Sequence, residues 1–132
     1  MTEQNPRAPL DVYEFIHKNI DSVPHLEAII LLWNSRPVAW SSEELATRLY
    51  IDPEKVLALL RDLVRQQLVA ELPGSLPKFT YFARSAEQDE LMRLLDAAYR
   101  RDLVRISTMI HSKTSSAVLE FARAFRLKKE RD

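Results

Sequence analysis

The stretch from Ser41 to Ala83 constrains the fold more than any other part of this 132-residue chain, because it predicts four elements in a fixed order. It begins with Ser41-Ser42-Glu43-Glu44. In such a capping box the serine hydroxyl accepts from the backbone amide three residues on, and the glutamate carboxylate accepts from the serine amide. A helix is therefore expected from here to about Tyr50, with an apolar face made by Leu45, Ala46 and Leu49.

A second helix is predicted to begin at Asp52-Pro53. The aspartate can accept from the first-turn amides, and the proline has a helical φ and lacks an amide hydrogen that would have no partner there. The helix should extend to about Gln66. The apolar residues expected to point inward are Val56, Leu57, Leu60, Leu63 and Val64.

Two strands are predicted after the second helix, at Leu68–Leu72 and Lys78–Phe82. The segment between them, Pro73–Pro77, contains Gly74, the only glycine of the chain. Strands joined in this way form a β-hairpin. Helix, turn, helix and hairpin in this order make a winged helix-turn-helix, so the expected fold class is mainly α with a small β-hairpin.

This stretch resembles the winged-helix domains of bacterial transcription regulators, the MarR-like group among them. The resemblance covers about a third of the chain and depends on Ser41, Glu44-Leu45-Ala46, Val56, Leu60, Leu63 and Leu68-Val69. It implies a winged-helix fold that binds duplex DNA with its second helix in the major groove. Residues 124–129 also resemble the end of small bacterial winged-helix proteins with no assigned activity.

Two features depart from the family's pattern. The early outer face of the second helix, where the resemblance implies polar side chains that contact bases, holds Pro53, Glu54, Leu57 and Ala58. Gln67 stands where the family usually has the glycine that ends the helix in a left-handed turn. The resemblance therefore supports the fold more strongly than it supports base reading.

The segment before the motif is predicted to be mostly helical. Residues 1–9 are polar with two prolines and predict a mobile tail. The apolar pattern of Leu10–Ile20 indicates a helix, which Ser22-Val23-Pro24 interrupts. His25–Ser35 is apolar on all sides, as expected of a helix at the centre of a fold. Residues 10–84 would thus form the winged-helix domain with an additional N-terminal helix.

Residues 85–132 are predicted to form a long C-terminal helical arm. Ser85-Ala86-Glu87-Gln88 has the form of a second capping box, and no proline or glycine follows up to about Ile110. So long an amphipathic helix exceeds what a small domain needs to cover its core, which favours a homodimer. The residues expected at the dimer contact are Phe15, Met92, Leu95, Tyr99, Leu103, Ile106, Ile110, Phe121 and Phe125.

The charge of the chain argues against strong non-specific attraction to DNA. Its 19 basic and 19 acidic side chains cancel, and residues 26–83 hold six basic and seven acidic ones. Affinity for DNA comes largely from cations that neutralise phosphates. The residues expected to contact DNA are Ser41, Arg48, Lys55, Arg61, Arg65, Lys78 and Arg84. The alternative interpretation is a solvated face with internal salt bridges, since Asp62 and Arg65 lie three residues apart.

No feature of the sequence points to an enzyme. The chain has no cysteine, its three histidines lie in separate segments, and a single glycine leaves no phosphate-binding loop. No catalytic residue, metal site or cofactor is therefore expected. Residues 1–7 lack the apolar core of a signal peptide, and the longest apolar run, Ala28–Trp33, is too short to span a bilayer. We expect a cytoplasmic protein with no membrane partner.

Three functions are open at this point. The favoured one is a homodimeric transcription regulator that binds duplex DNA. The alternative is a winged-helix module that binds a protein partner and does not read DNA. A small-molecule-sensing regulator is a further alternative, since a pocket between helices leaves no mark in a sequence.

Overall fold

The computed structural model describes residues 11–112 of the chain. The helices are α1 Val12–Asn19, α2 Val23–Asn34, α3 Ser42–Leu49, α4 Pro53–Arg65 and α5 Ala86–Arg101, and the strands are β1 Trp40–Ser41, β2 Val69–Leu72 and β3 Lys78–Tyr81. A further helical stretch, α6, covers 103–112. The predicted tail, the last predicted helix, Phe121 and Phe125 lie outside the described residues. None of the described helices has the length and apolar character needed to cross a membrane.

The predicted caps start both helices of the helix-turn-helix. The Ser41 hydroxyl accepts from the Glu44 amide at 3.1 Å and the Glu44 carboxylate accepts from the Ser41 amide at 2.9 Å, which confirms the capping box of α3. The Asp52 carboxylate accepts from the Glu54 amide at 2.9 Å, and Pro53 opens α4. These two caps determine where the turn between α3 and α4 lies.

The predicted wing is part of a three-stranded antiparallel sheet with the strand order β1-β3-β2. β2 and β3 form the expected hairpin, with Val69 opposite Tyr81. The sequence does not predict β1, because two residues are too few to show a strand period. β1 places Trp40 opposite Phe79, so the sheet connects the start of α3 to the wing.

α2 lies at the centre of the fold, as its apolar sequence predicts. It contacts α3, α4, α5 and β3. Its buried residues are Leu26, Ala28, Ile29, Ile30, Leu32 and Trp33. α4 buries Val56, Leu59, Leu60 and Leu63. The predicted inward residues Leu57 and Val64 are only half-buried, because residues i, i+3, i+4 and i+7 already complete one helical stripe.

α4 ends in a left-handed turn at Gln67, whose φ is 62°. The Leu68 amide donates to the Leu63 carbonyl at 3.0 Å, and the Gln67 amide donates to the Val64 carbonyl at 2.9 Å. These two bonds make a Schellman motif. The turn implied by the family resemblance is therefore present, with glutamine in the place of glycine.

Replacing Gln67 with glycine should raise the free energy of unfolding by up to about 1 kcal/mol, because a β-carbon makes the left-handed conformation costly. Urea denaturation measures the difference. The matched control is Gln66→Gly, where φ is −84° and glycine should instead destabilise. A Gln67→Gly variant no more stable than the wild type would contradict the prediction.

The expectation of one uninterrupted helix up to Ile110 is wrong, because the helix breaks at Asp102. α5 ends at Arg101, and Asp102 has φ −127° and ψ 43°. The Tyr13 hydroxyl donates to the Asp102 carboxylate at 3.0 Å. The Asp102 carbonyl accepts from the Ile106 amide at 2.9 Å and so starts α6. At the break, Asp102 thus contacts Tyr13 of α1, and the periodicity of the local sequence cannot reveal such a contact.

Candidate nucleic-acid interface

α4 presents a charged face to solvent because its apolar face is buried against α2 and β2. The exposed residues of this face are Glu54, Lys55, Ala58, Arg61 and Arg65. Three of them are cationic, and cationic side chains are the usual partners of DNA phosphates. The core packing of α4 therefore determines which cations point outward.

Both arginines of α4 pair with carboxylates of the chain. A guanidinium nitrogen of Arg61 lies 3.6 Å from the carboxylate of Glu71 on β2, and the Arg61 side chain is 50% exposed. Arg65 pairs with Asp62, three residues earlier, and its side chain is 70% exposed. Exposed pairs of this kind contribute about 1 kcal/mol at most, so a phosphate can displace the carboxylate. Both arginines are accessible to an anionic partner.

Two further exposed cations lie on α3 and the wing. Lys78 is exposed at the start of β3. Arg48 on α3 is exposed and lies over the Trp40 ring, 5.4 Å from its centroid. The cations predicted to contact DNA are thus distributed over α3, α4 and the wing.

Ser41 does not have the free hydroxyl that a DNA contact requires, and the guanidinium of Arg84 is shared with other side chains of the chain. Ser41 is 2% exposed, so its hydroxyl caps α3 and cannot reach a phosphate. Its amide is the main cause that holds the pKa of the Glu44 carboxyl below the ordinary value. Arg84 is exposed, but its guanidinium donates to the side chains of Gln67 and Gln88. Arg84 therefore links the end of α4 to the start of α5.

Carboxylates lie among the cations of this surface. Glu43 on α3, Asp52 in the turn and Glu54 at the start of α4 are all exposed. The wing tip, residues 73–77, carries no charge, and its Leu76 is 51% exposed. The surface therefore has a mixed charge, consistent with the net charge of zero.

A buried polar network, which the sequence does not predict, holds the wing against α5. Gln88 is 5% exposed, and its side-chain amide donates to the Phe82 carbonyl at 2.8 Å. Its side-chain oxygen accepts from Arg84 at 2.9 Å. The Tyr81 hydroxyl donates to Asp89 at 2.7 Å. Burial first, and then this hydrogen bond, raise the pKa of Tyr81 to about 12, so Tyr81 is a neutral donor near pH 7.

A second polar link orients α4 on α2. The His25 ring contacts the Ser22 hydroxyl at 2.6 Å through Nδ1 and the Asp62 carboxylate at 3.0 Å through Nε2. The His25 side chain is only 13% exposed. The link joins the first turn of α2 to α4 and so helps to set the direction of the charged face. Within residues 11–112, no group of three or more His, Asp or Glu side chains could hold a metal ion.

Most of the described side chains expected at a dimer contact pack against residues of the same chain. Four of them are buried in its core: Met92, Leu95, Ile106 and Ile110. Phe15 and Tyr99 are half-buried, and the Tyr99 hydroxyl donates to Glu27 at 3.3 Å. Leu103 is exposed, as is its neighbour Val104. A second copy could therefore contact Phe15, Tyr99 and Leu103 but not the four core residues.

A pocket of about 270 Å³ lies between α1, the end of α4 and the start of α5. Phe15, Asn19, Gln66 and Leu91 are among its lining residues. The side-chain oxygen of Gln66 is buried and has no hydrogen-bond partner among the described residues. The small-molecule-sensing hypothesis depends on a cavity of this kind.

The fold is similar to solved structures of transcriptional regulators. Sco5413, a MarR family transcriptional regulator from Streptomyces coelicolor, is 20% identical over 90% of this chain and 82% of its own, with a TM-score of 0.53. The transcriptional regulator Tm0710 from Thermotoga maritima is 12% identical over 91% of this chain and 84% of its own, with a TM-score of 0.52. MepR from S. aureus, solved as a DNA complex, is 11% identical over 90% of this chain and 87% of its own, with a TM-score of 0.52.

At these identities the likeness shows the fold alone, and that fold is a MarR-like winged helix. The predicted fold class, mainly α with a winged helix-turn-helix, is confirmed. No protein-family model matches the chain, and no curated protein matches it in sequence.

Proposed function

We propose that this chain is a DNA-binding transcriptional regulator that acts as a homodimer in the bacterial cytoplasm. The observation that carries the proposal is a set of exposed cations, Arg48, Lys55, Arg61 and Lys78, on the three elements of a winged helix-turn-helix. MepR, which has a similar fold, is solved in complex with DNA. The similar fold and the exposed cations together favour a DNA ligand over other anions.

In the proposed complex α4 enters the major groove while α3 crosses the DNA backbone. Arg61 and Arg65 would then exchange their carboxylate partners for phosphates, which positions the helix without reading sequence. The side chains available for base contacts near the start of α4 are Glu54 and Ala58. A glutamate can accept from the amino group of cytosine, and an alanine can contact the methyl group of thymine.

Binding to duplex DNA should be strongly salt-dependent. About four phosphate contacts per subunit, and so about eight for the homodimer, correspond to a slope of roughly −7 when the logarithm of the affinity is plotted against that of the salt concentration. Fluorescence anisotropy of a labelled duplex, measured over a range of salt, gives this slope. Failure to bind any duplex at low salt would refute the proposal.

Arg61→Ala should weaken binding about tenfold or more on every duplex sequence and make the salt slope shallower by about 2, because the homodimer loses one phosphate contact in each subunit. The matched control is Arg93→Ala on α5. Arg93 also pairs with a carboxylate, that of Glu90, and its side chain is 61% exposed, but it lies outside the helix-turn-helix. Equal loss in the two variants would contradict the role of Arg61.

The second candidate is a protein-interaction module that does not read DNA, and the mixed charge of the surface favours it. The carboxylates of Glu43, Asp52 and Glu54 would repel phosphates, whereas a protein partner can pair with them. Affinity purification from a nuclease-treated lysate separates the two functions. A stoichiometric protein partner, found together with no binding to duplex DNA, would favour the second.

A further inference from the structure

Tyr50 combines exposure with an unusual backbone conformation. At 92% it is the most exposed large apolar side chain among the described residues, and it lies in the turn between α3 and α4. Its φ is 60° and its ψ is 41°, which is left-handed. Its hydroxyl makes no hydrogen bond with any residue of the described part of the chain.

The fold itself gains nothing from a tyrosine at this position. A bulky residue rarely adopts a positive φ, and glycine would form the same turn without the cost of a β-carbon. Gln67 is the other described non-glycine residue with a positive φ, but its side chain accepts from Arg84. Strained residues that packing does not explain tend to cluster at functional sites. We therefore expect the exposed ring of Tyr50 to contact a molecule other than this chain.

The position of the turn indicates which partner this is. In helix-turn-helix complexes the first helix crosses the DNA backbone and the N-terminus of the second contacts base edges. The residues between the two helices therefore lie at the edge of the groove. Glu43, Thr47 and Asp52 border Tyr50 at this corner. Since the two carboxylates repel phosphate, an uncharged hydroxyl is the better donor here, and tyrosine hydroxyls do contact phosphates.

We propose that Tyr50 is a DNA-contact residue whose hydroxyl donates a hydrogen bond to a backbone phosphate at the edge of the major groove. This inference rests on the proposed function and assigns one contact within it. The contact would hold α4 in register on the duplex rather than read its sequence. The strained turn would keep the ring pointing outward.

Three variants test the assignment against a mixed-sequence duplex. Tyr50→Phe removes only the hydroxyl and should weaken binding about tenfold without changing Tm. Tyr50→Gly should weaken binding at least as much while raising Tm by about 4 °C, because it removes the left-handed strain. Gln67→Gly is the matched control, with a similar rise in Tm and the affinity of the wild type.

The outcomes separate this inference from the function on which it rests. A wild-type chain that binds no duplex overturns both. A wild-type chain that binds duplex, together with a Tyr50→Phe variant of unchanged affinity, overturns the assignment of Tyr50 alone. Equal losses of affinity in Gln67→Gly and Tyr50→Gly also overturn it, because relief of strain would then be the cause.

Discussion

Replacing Phe79 with alanine is expected to lower the free energy of unfolding by about 3 to 5 kcal/mol, the usual range for a buried phenylalanine. Phe79 is 0% exposed and lies on the central strand of the sheet, opposite Trp40 of β1 and Glu71 of β2. Because a domain is stable by only about 5 to 15 kcal/mol, the variant should lose a large share of its stability. Urea denaturation followed by circular dichroism measures the loss.

Phe82→Ala is the matched control for this prediction. Phe82 follows β3 directly but is 38% exposed, so its truncation should cost about 1 kcal/mol or less. Phe79→Leu keeps most of the apolar volume and should fall between the two. Equal losses for Phe79→Ala and Phe82→Ala would mean that the wing does not share the core of the domain.

The parts of the fold that the sequence predicts well have local signals. The caps at Ser41 and Asp52 are hydrogen bonds between residues two or three positions apart, so the residue types alone indicate them. α2 is central because all of its faces are apolar. The left-handed turn at Gln67 lacks such a signal, because glutamine stands where a glycine would indicate the turn.

Contacts between residues far apart in sequence could not be predicted in this way. Gln88 has the position of a capping-box residue, and its amide does donate to the Ser85 hydroxyl at 3.1 Å. Its side chain, however, reaches the Phe82 carbonyl of the wing, so only half of the predicted capping box is found. Asp102 likewise breaks the predicted long helix and accepts from Tyr13 on α1.

The sequence locates the cations of the candidate site but does not say which of them are available. The partner of Arg61 is Glu71 on β2, and Arg84 is held by Gln88 on α5. Ser41 is buried in a strand that is too short to predict. Tyr50 is a candidate contact residue that the sequence does not indicate at all. Only its φ and its exposed fraction in the structure distinguish it from an ordinary residue at a helix end.

Gln88→Ala should lower the free energy of unfolding by about 2 to 3 kcal/mol, because it removes three hydrogen bonds, to Arg84, Phe82 and the Tyr81 hydroxyl, and leaves a small cavity. The Phe82 carbonyl would lose its donor, and Arg84 would lose an acceptor. Since these bonds hold the wing against α5, the amides of β2 and β3 should exchange their hydrogens faster relative to those of α2. Chemical denaturation and hydrogen exchange measure the two effects.

Two further variants show whether hydrogen bonding or volume is responsible. Gln88→Leu fills the space but restores none of these hydrogen bonds, so it should remain about 1 to 2 kcal/mol less stable than the wild type. Arg93→Ala removes an exposed ion pair on the same helix and should change the stability by about 0.5 kcal/mol or less. If Gln88→Ala were as stable as Arg93→Ala, the wing would not depend on this network. If Gln88→Leu matched the wild type, packing alone would hold the wing in place.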